Sequence, residues 1–387
     1  MRRFGFILSF LAVFLFLLSC ESINESLSLS ESPVASGRLS TSSLKAEGRY
    51  IVVLDKEQFP SASPEMLDQY ARAFGVDPGQ ITHRYWNTIL GFAGYFSEAQ
   101  VRRLKGDSRV KYIEPDRVVR LAPVRGRPGS SQAEEIPWGV IRVGGPIDGT
   151  GKVAWIIDTG VDLDHPDLNV DVSRSVTFVE RGRDARSADD YNGHGTHVAG
   201  TIAAIDNDID VVGVAAGATV VAVKVLDQSG SGYYSWVING VDYVGANASP
   251  GDVANMSLGG PVSQALDDAV LNASSKGIYF AIAAGNDGDD ANNYSPARVN
   301  GTYVYTVSAI DANDVFASFS NWGNPPIDYA APGVSILSLW KDGGTNTISG
   351  TSMATPHVAA LLLLGSINTD GYALQDPDGN PDPIAHY

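Results

Sequence analysis

The chain has 387 residues, 44% of them apolar, enough for one large domain and a smaller one with a sizeable core. Its formal net charge of −17 argues against a nucleic-acid-binding surface. A single cysteine, Cys20, excludes an intrachain disulfide, so stability must come from core packing and bound ions. The charge is unevenly divided. Residues 1–132 carry 17 Lys/Arg against 13 Asp/Glu, and residues 133–387 carry 10 against 31. A weakly basic front on a strongly acidic body suggests two modules that attract each other, although a solvated acidic surface would give the same count.

Arg2 and Arg3 precede an apolar run at residues 4–18, short for a membrane span but suited to a signal-peptide core. The run ends at Leu17, Leu18, Ser19 and Cys20, which resembles the lipobox of bacterial lipoproteins; residues 1–20 are therefore expected to be a signal peptide with Cys20 lipidated. An ordinary signal peptide with an incidental Cys remains the alternative. Residues 21–47, with nine serines and few apolar residues, read as a flexible tether.

Residues 48–122 read as a small α+β unit. Tyr50 to Leu54 is β-like, Ser63 and Pro64 open a helix that Gly75 can close, and 89–96 is again β-prone. Ser97 to Gln100 fits a capping box, and 110–113 is a last strand. That order suits a ferredoxin-like sandwich. Residues 123–132, rich in Pro, Gly, Ser and Arg, read as an exposed, cleavable linker before a body at 133–387. In the body, apolar runs at 153–157, 219–225, 253–256, 278–284 and 303–307 alternate with helical patterns. This predicts an α/β fold with a mostly parallel sheet and helices on both faces, whose sites lie beyond the carboxyl ends of the strands.

Four segments there carry chemistry. The first strand ends at Asp158, which can orient a histidine or simply cap a turn. Asp162, Asp164 and Asp167, in the loop that follows, are poorer candidates for the buried role. His194 and His197 stand in a glycine-rich helix entry, a base with a structural neighbour or a metal pair lacking a third ligand. Asn286 follows the 278–284 strand, as an oxyanion donor or a turn residue. Ser352 opens an apolar helix, as a nucleophile or a plain N-cap, and Pro356 is expected near that helix's first turn. Singly each is ambiguous; together they supply what acyl transfer needs.

In the order Asp, His, Asn, Ser, these segments resemble the subtilisin family of serine proteases, with features of its proteinase K branch such as Asn293 to Pro296. The mechanism is the family's and is carried over. The resemblance implies that Ser352 attacks, His194 moves the proton, Asp158 fixes the imidazole, and Asn286 with the Ser352 amide holds the oxyanion. It implies that protein and peptide substrates lie as an extra strand between Gly230, Ser231, Gly232 on one edge and Ser257, Leu258, Gly259 on the other. Residues 48–122 resemble the family's inhibitory prosegment, with self-cleavage between Leu121 and Ala133. A structural Ca2+ is implied at a loop that interrupts the helix after His194, held by carbonyls of Ile205, Ile209 and Val211, the side chains of Asn207 and Asp167, and Glu134. Asp328 is a candidate for a weaker site. The family usually continues further beyond its serine with another helix, whereas here Gly365 onward turns polar. The alternating Asp376, Asp378, Asn380 and Asp382 invite calcium, while Pro377, Pro381 and Pro383 suit a disordered tail. The expectation is a monomeric, extracytoplasmic, self-processing zymogen whose lipid anchor stays with the prosegment; the alternative is a catalytically silent surface lipoprotein that keeps the fold for binding.

Overall fold

The computed structural model describes residues 45–59, 63–121, 129, 132–365 and 367–387. The expected signal peptide, Cys20, nearly all of the tether and most of the linker lie outside them. Among the described residues no helix is long and apolar enough to cross a membrane.

The front module follows the predicted order: β1 (Lys45–Leu54), α1 (Pro64–Ala73), β2 (Ile81–Tyr85), β3 (Gly91–Tyr95), α2 (Glu98–Lys105) and β4 (Val110–Arg120). Both helices start where their caps predict. The Ser63 side chain accepts from Met66 N–H, and Ser97 and Gln100 close a reciprocal capping box. The four strands form an antiparallel sheet in the order β4–β1–β3–β2, and both helices pack on it through Leu67, Ala71, Val101 and Leu104.

In the body, β5 (Val153–Asp158), α3 (His194–Ala203), β6 (Thr219–Lys224), β7 (Ser231–Tyr233), α4 (Tyr234–Asn247), β8 (Val253–Met256), α5 (Gln264–Ser274), β9 (Tyr279–Ala283), β10 (Val304–Ile310), β11 (Ile327–Pro332) and α6 (Thr351–Leu364) precede a terminal hairpin of β12 (Asn368–Tyr372) and β13 (Pro383–His386). The central sheet runs β12–β13–β11–β10–β9–β8–β5–β6, parallel except between the hairpin strands. One face packs on α3 and α6, the other on α4 and α5. Strands covered on both sides explain the uninterrupted apolar runs.

Three expectations need correction. Pro356 lies well inside α6, beyond its first turn. Its missing N–H would have served the Ser352 carbonyl; the Ser257 hydroxyl donates to that carbonyl instead, at 2.8 Å. The calcium-loop segment does not interrupt a helix: α3 ends at Ala203 and the loop follows. Finally, 367–387 is an ordered hairpin. β13 extends the central sheet, with Ile384 opposite Ala330, and the Tyr387 N–H donates to the Val143 carbonyl at 2.9 Å. The prolines avoid the loss of sheet pairing by sitting in the turn and at the first position of β13.

Candidate active site

Asp158 ends β5 and is fully buried. One carboxylate oxygen accepts from Thr159 N–H at 2.7 Å and lies 2.8 Å from His194 Nδ1. With a carboxylate at Nδ1, the ring proton sits there and Nε2 is left as the basic atom. The approach depends on glycine. Gly193 caps α3 at φ +113°, and a Cβ on Gly195 would fall 2.0 Å from the Gly160 carbonyl, so α3 starts hard against the end of β5. Burial opposes charge on His194, but Asp158 outweighs it and Asp190 adds to it, so the pKa lies above its ordinary 6.5.

Asp190 was missed in the sequence. It is buried and accepts from the N–H groups of Gly193 and Thr196 and from the hydroxyls of Thr159 and Thr196. It thus caps α3 with a negative charge where the helix dipole favours one. His197 is no partner for a metal pair. Its Nε2 lies 3.0 Å from the Ile336 carbonyl, and burial holds its pKa down at about 3.

Ser352 lies in the first turn of α6 behind Gly350, so it is not the N-cap. Its Oγ donates to the Ser257 carbonyl at 3.1 Å and makes no hydrogen bond to His194. In a resting site such catalytic bonds are often loose and tighten on the substrate. Asn286 is held from behind: the N–H and hydroxyl of Thr351 donate to its Oδ1 at 2.8 and 3.1 Å. Its side-chain NH2 is thereby left as the free donor.

Of the two expected substrate edges, one is engaged. The tail of β4 pairs antiparallel with β7, Arg120 opposite Ser231, Val119 opposite Gly232 and Val118 opposite Tyr233, and the Leu121 N–H donates to the Gly230 carbonyl at 2.9 Å. Val119 is buried among Tyr234, Leu258 and their neighbours. Among the described residues, 257–259 make no ladder with this tail; the nearest pairing is Gly260 with Ser295.

Behind the tail the front module docks through charge. Arg49 is fully buried and meets Asp116 at 2.5 Å, Glu180 at 2.9 Å and the Ser235 hydroxyl at 2.9 Å. Asp242 on α4 accepts from the N–H groups of Asn87 and Thr88 and from their side chains. Glu114 and Asp116 accept backbone N–H groups at the starts of α5 and α4.

The loop after α3 tests the calcium expectation. Asp167 is as buried as Asp158, contrary to its lower ranking in the sequence. Asn207 donates to Asp167 at 2.6 Å, the Asn207 N–H donates to Glu134 at 2.5 Å, and the Ile209 N–H donates to Asn207 Oδ1 at 2.7 Å. Burial works against the hydrogen bonds from Asn207 and Val211, and the charges of Asp210 and Glu134 add to it, pushing Asp167 up to about 7. Among the described residues no Lys, Arg or His makes an ion pair with Asp167, and a buried carboxylate beside Glu134 and Asp210 fits Ca2+. Among the described residues no three His, Cys, Asp or Glu side chains are gathered as a cage, so backbone carbonyls would have to complete the shell. Asp328, half-buried, accepts from the Thr306 N–H and is lifted by desolvation to about 6.

The subtilase family model matches residues 149–366, and the peptidase inhibitor I9 model matches 49–122. The alkaline serine exoprotease A of Vibrio alginolyticus is 41% identical over 386 residues, covering 87% of this chain and 70% of that protein. The extracellular serine proteinase of a Thermus species is 39% identical over 366 residues, covering 87% and 83%. A solved cold-adapted subtilisin-like serine proteinase is 41% identical, with a TM-score of 0.56 over 64% of this chain and 97% of that one. The chain belongs to the subtilase family: it is a subtilisin-like serine protease preceded by an I9 inhibitory prosegment.

Proposed function

We propose that the chain is a secreted serine endopeptidase made as a self-processing zymogen, with Ser352 as nucleophile, His194 as general base, Asp158 as its orienting partner, and Asn286 with the Ser352 N–H as the oxyanion hole. The observation that carries this is the 2.8 Å contact between His194 Nδ1 and Asp158, which leaves Nε2 basic. In this reading Ser352 Oγ leaves the Ser257 carbonyl for Nε2 when a peptide enters. The ring takes its proton as Oγ attacks, and the same proton goes to the leaving amine. The Asn286 NH2, aimed by Thr351, stabilises the oxyanion.

Residues 48–122 act as inhibitor, with the tail on β7 in place of substrate, and residues 123–132 form the cleaved linker before the 133–387 body. Residues 1–20 direct secretion, Cys20 is lipidated and 21–47 tether the prosegment, so that cleavage frees the body from the cell envelope. The extracellular Thermus proteinase supports secretion. Ca2+ is held by Glu134, Asp167 and Asn207 with the carbonyls of Ile205, Ile209 and Val211, and when bound it supplies the positive charge that Asp167 lacks. The test is the full precursor carrying Ser352→Ala. It should stay uncleaved and inactive on casein; normal self-processing would overturn the assignment.

A further inference from the structure

The turn of the terminal hairpin is not used by the proteolytic reading. Between β12 and β13 the chain passes through Asp376, Asp378, Asn380 and Asp382, an oxygen-bearing side chain at every second position. Calcium loops use such spacing in their first ligands. Their N–H groups fold the loop on its own acids: Asp378 donates to Asp376 Oδ1, Asn380 to Asp378 Oδ1, and Asp382 to Asp376 Oδ2. An acidic turn does this without a ligand, so these bonds alone point to none.

Asp382 does point to one. It is 1% exposed; Oδ2 takes the Ser308 hydroxyl, but Oδ1 is buried without a hydrogen-bond partner. Asn324 stands alongside: its amide NH2 donates to the Asn380 carbonyl at 3.3 Å, and its own Oδ1 is likewise buried and unpartnered. Among the described residues no Lys, Arg or His is within ion-pair distance of Asp376, Asp378 or Asp382; Arg142, the base that binds the hairpin, is committed to Asp314 and Asp370. Two buried oxygens at this turn, one of them a carboxylate's, therefore lack a hydrogen-bond partner, and no positive charge is within ion-pair distance, an arrangement that is costly unless a cation enters.

We propose that Asp376, Asp378, Asn380 and Asp382, with the Asn324 side-chain oxygen, form a Ca2+ site that pins the C-terminal hairpin to the edge of the central sheet. The donors are all oxygen, and mixed carboxylate and amide ligands in an irregular loop favour Ca2+ over Mg2+, which demands near-ideal octahedral geometry. The three carboxylates are not already gathered as a cage, so the loop tightens as the ion enters. The effect reaches the sheet through Asp382, whose carbonyl accepts from Ala373 N–H at 2.8 Å two residues before β13 pairs with β11.

The experiment uses the full-length chain carrying Ser352→Ala, so that self-digestion does not intrude. Bound Ca2+ is counted by equilibrium dialysis, and amide hydrogen exchange is followed in CaCl2 and in EGTA. Adding Asp376→Asn with Asp378→Asn, on the outer side of the loop, should remove one Ca2+ per chain. It should abolish the Ca2+-dependent slowing of exchange at 368–386 while leaving that at 205–211 intact. Asp167→Asn should do the reverse, which separates the two sites. Asp382→Asn should behave like the outer pair; if its burial prevents folding, the outer pair still decides. Equal Ca2+ counts in the parent and the outer pair, or hairpin exchange in the parent that is indifferent to Ca2+, would overturn the proposal.

Discussion

The cleft and the prosegment interface are built from the same materials, buried carboxylates and helix starts, but are arranged in opposite ways. In the cleft, each charged or polar group closes or opens an element of its own module: Asp158 ends β5, His194 begins α3, Ser352 lies in the first turn of α6. At the interface, each group reaches into the other module, besides the Arg49–Asp116 pair within the front one: Arg49 reaches Glu180, Asp242 takes the 87–88 backbone, and Asp116 caps α4. The first arrangement survives removal of the prosegment; the second leaves Asp242, Glu180 and two helix starts to water. The module is also held by apolar packing, with Ile51, Val53, Tyr85, Ile89 and Ala93 in one cluster with Val237 and Val241 of α4, so on release after cleavage water replaces the polar bonds while that packing is lost.

That contrast is open to attack at both ends. The largest effect is expected from Asp158→Asn, brought to the processed form in trans by the parent enzyme because its own processing should fail. The wrong tautomer should lower kcat by about 10⁴-fold, a magnitude carried over from the standard serine-protease triad, and stopped assays at fixed enzyme concentration measure it. Arg49→Ala comes next. It leaves buried Asp116 without its ion-pair partner and half-buried Glu180 with His83 alone, a loss of about 3–5 kcal/mol, so a separately added prosegment should inhibit about 10²–10⁴-fold more weakly. Asn286→Ala should cut kcat by about 10²–10³ with KM little changed, again at the family's own measured scale. Asp242→Asn keeps one acceptor oxygen of two and should weaken inhibition by about tenfold through the lost charge-assisted bonds. Neither interface variant should alter kcat, and a fall there would break the separation between the two regions.

The smallest change is a displacement along the pH axis. His194 must be neutral to act as base, and its pKa is raised, so kcat/KM should fall as pH drops through a value above 6.5. Removing the Asp158 charge should move that limb to lower pH. A limb that stays in place would remove Asp158 from its role.

The same contrast explains what the sequence let one read. Strand-end and helix-start residues announce themselves locally, because an apolar run stops at Asp158 or before Asn286 and the candidate residue sits at the stop. The prosegment fold was legible for the same reason, through the Ser63 and Ser97 caps. Arg49 and Glu180, 131 positions apart, carry no local signal, and neither does Asp190, whose value is the α3 start it caps. Thr351 was hidden by its neighbour Ser352, although its place directly before the serine was a usable clue. The hairpin was obscured by its polar, proline-bearing composition, since one strand covers a sheet edge and needs few apolar residues. Pro356 was placed too near the helix start because the Ser257 hydroxyl that satisfies the Ser352 carbonyl comes from 95 residues away.

The most direct measurement is the site and pH dependence of phosphonylation. Processed enzyme treated with a phosphonyl fluoride and mapped by mass spectrometry should carry one adduct, on Ser352, formed at a rate that falls as His194 protonates and that collapses in Asp158→Asn. An adduct on another residue, or a Ser352 adduct formed equally fast in Asp158→Asn, would contradict the account.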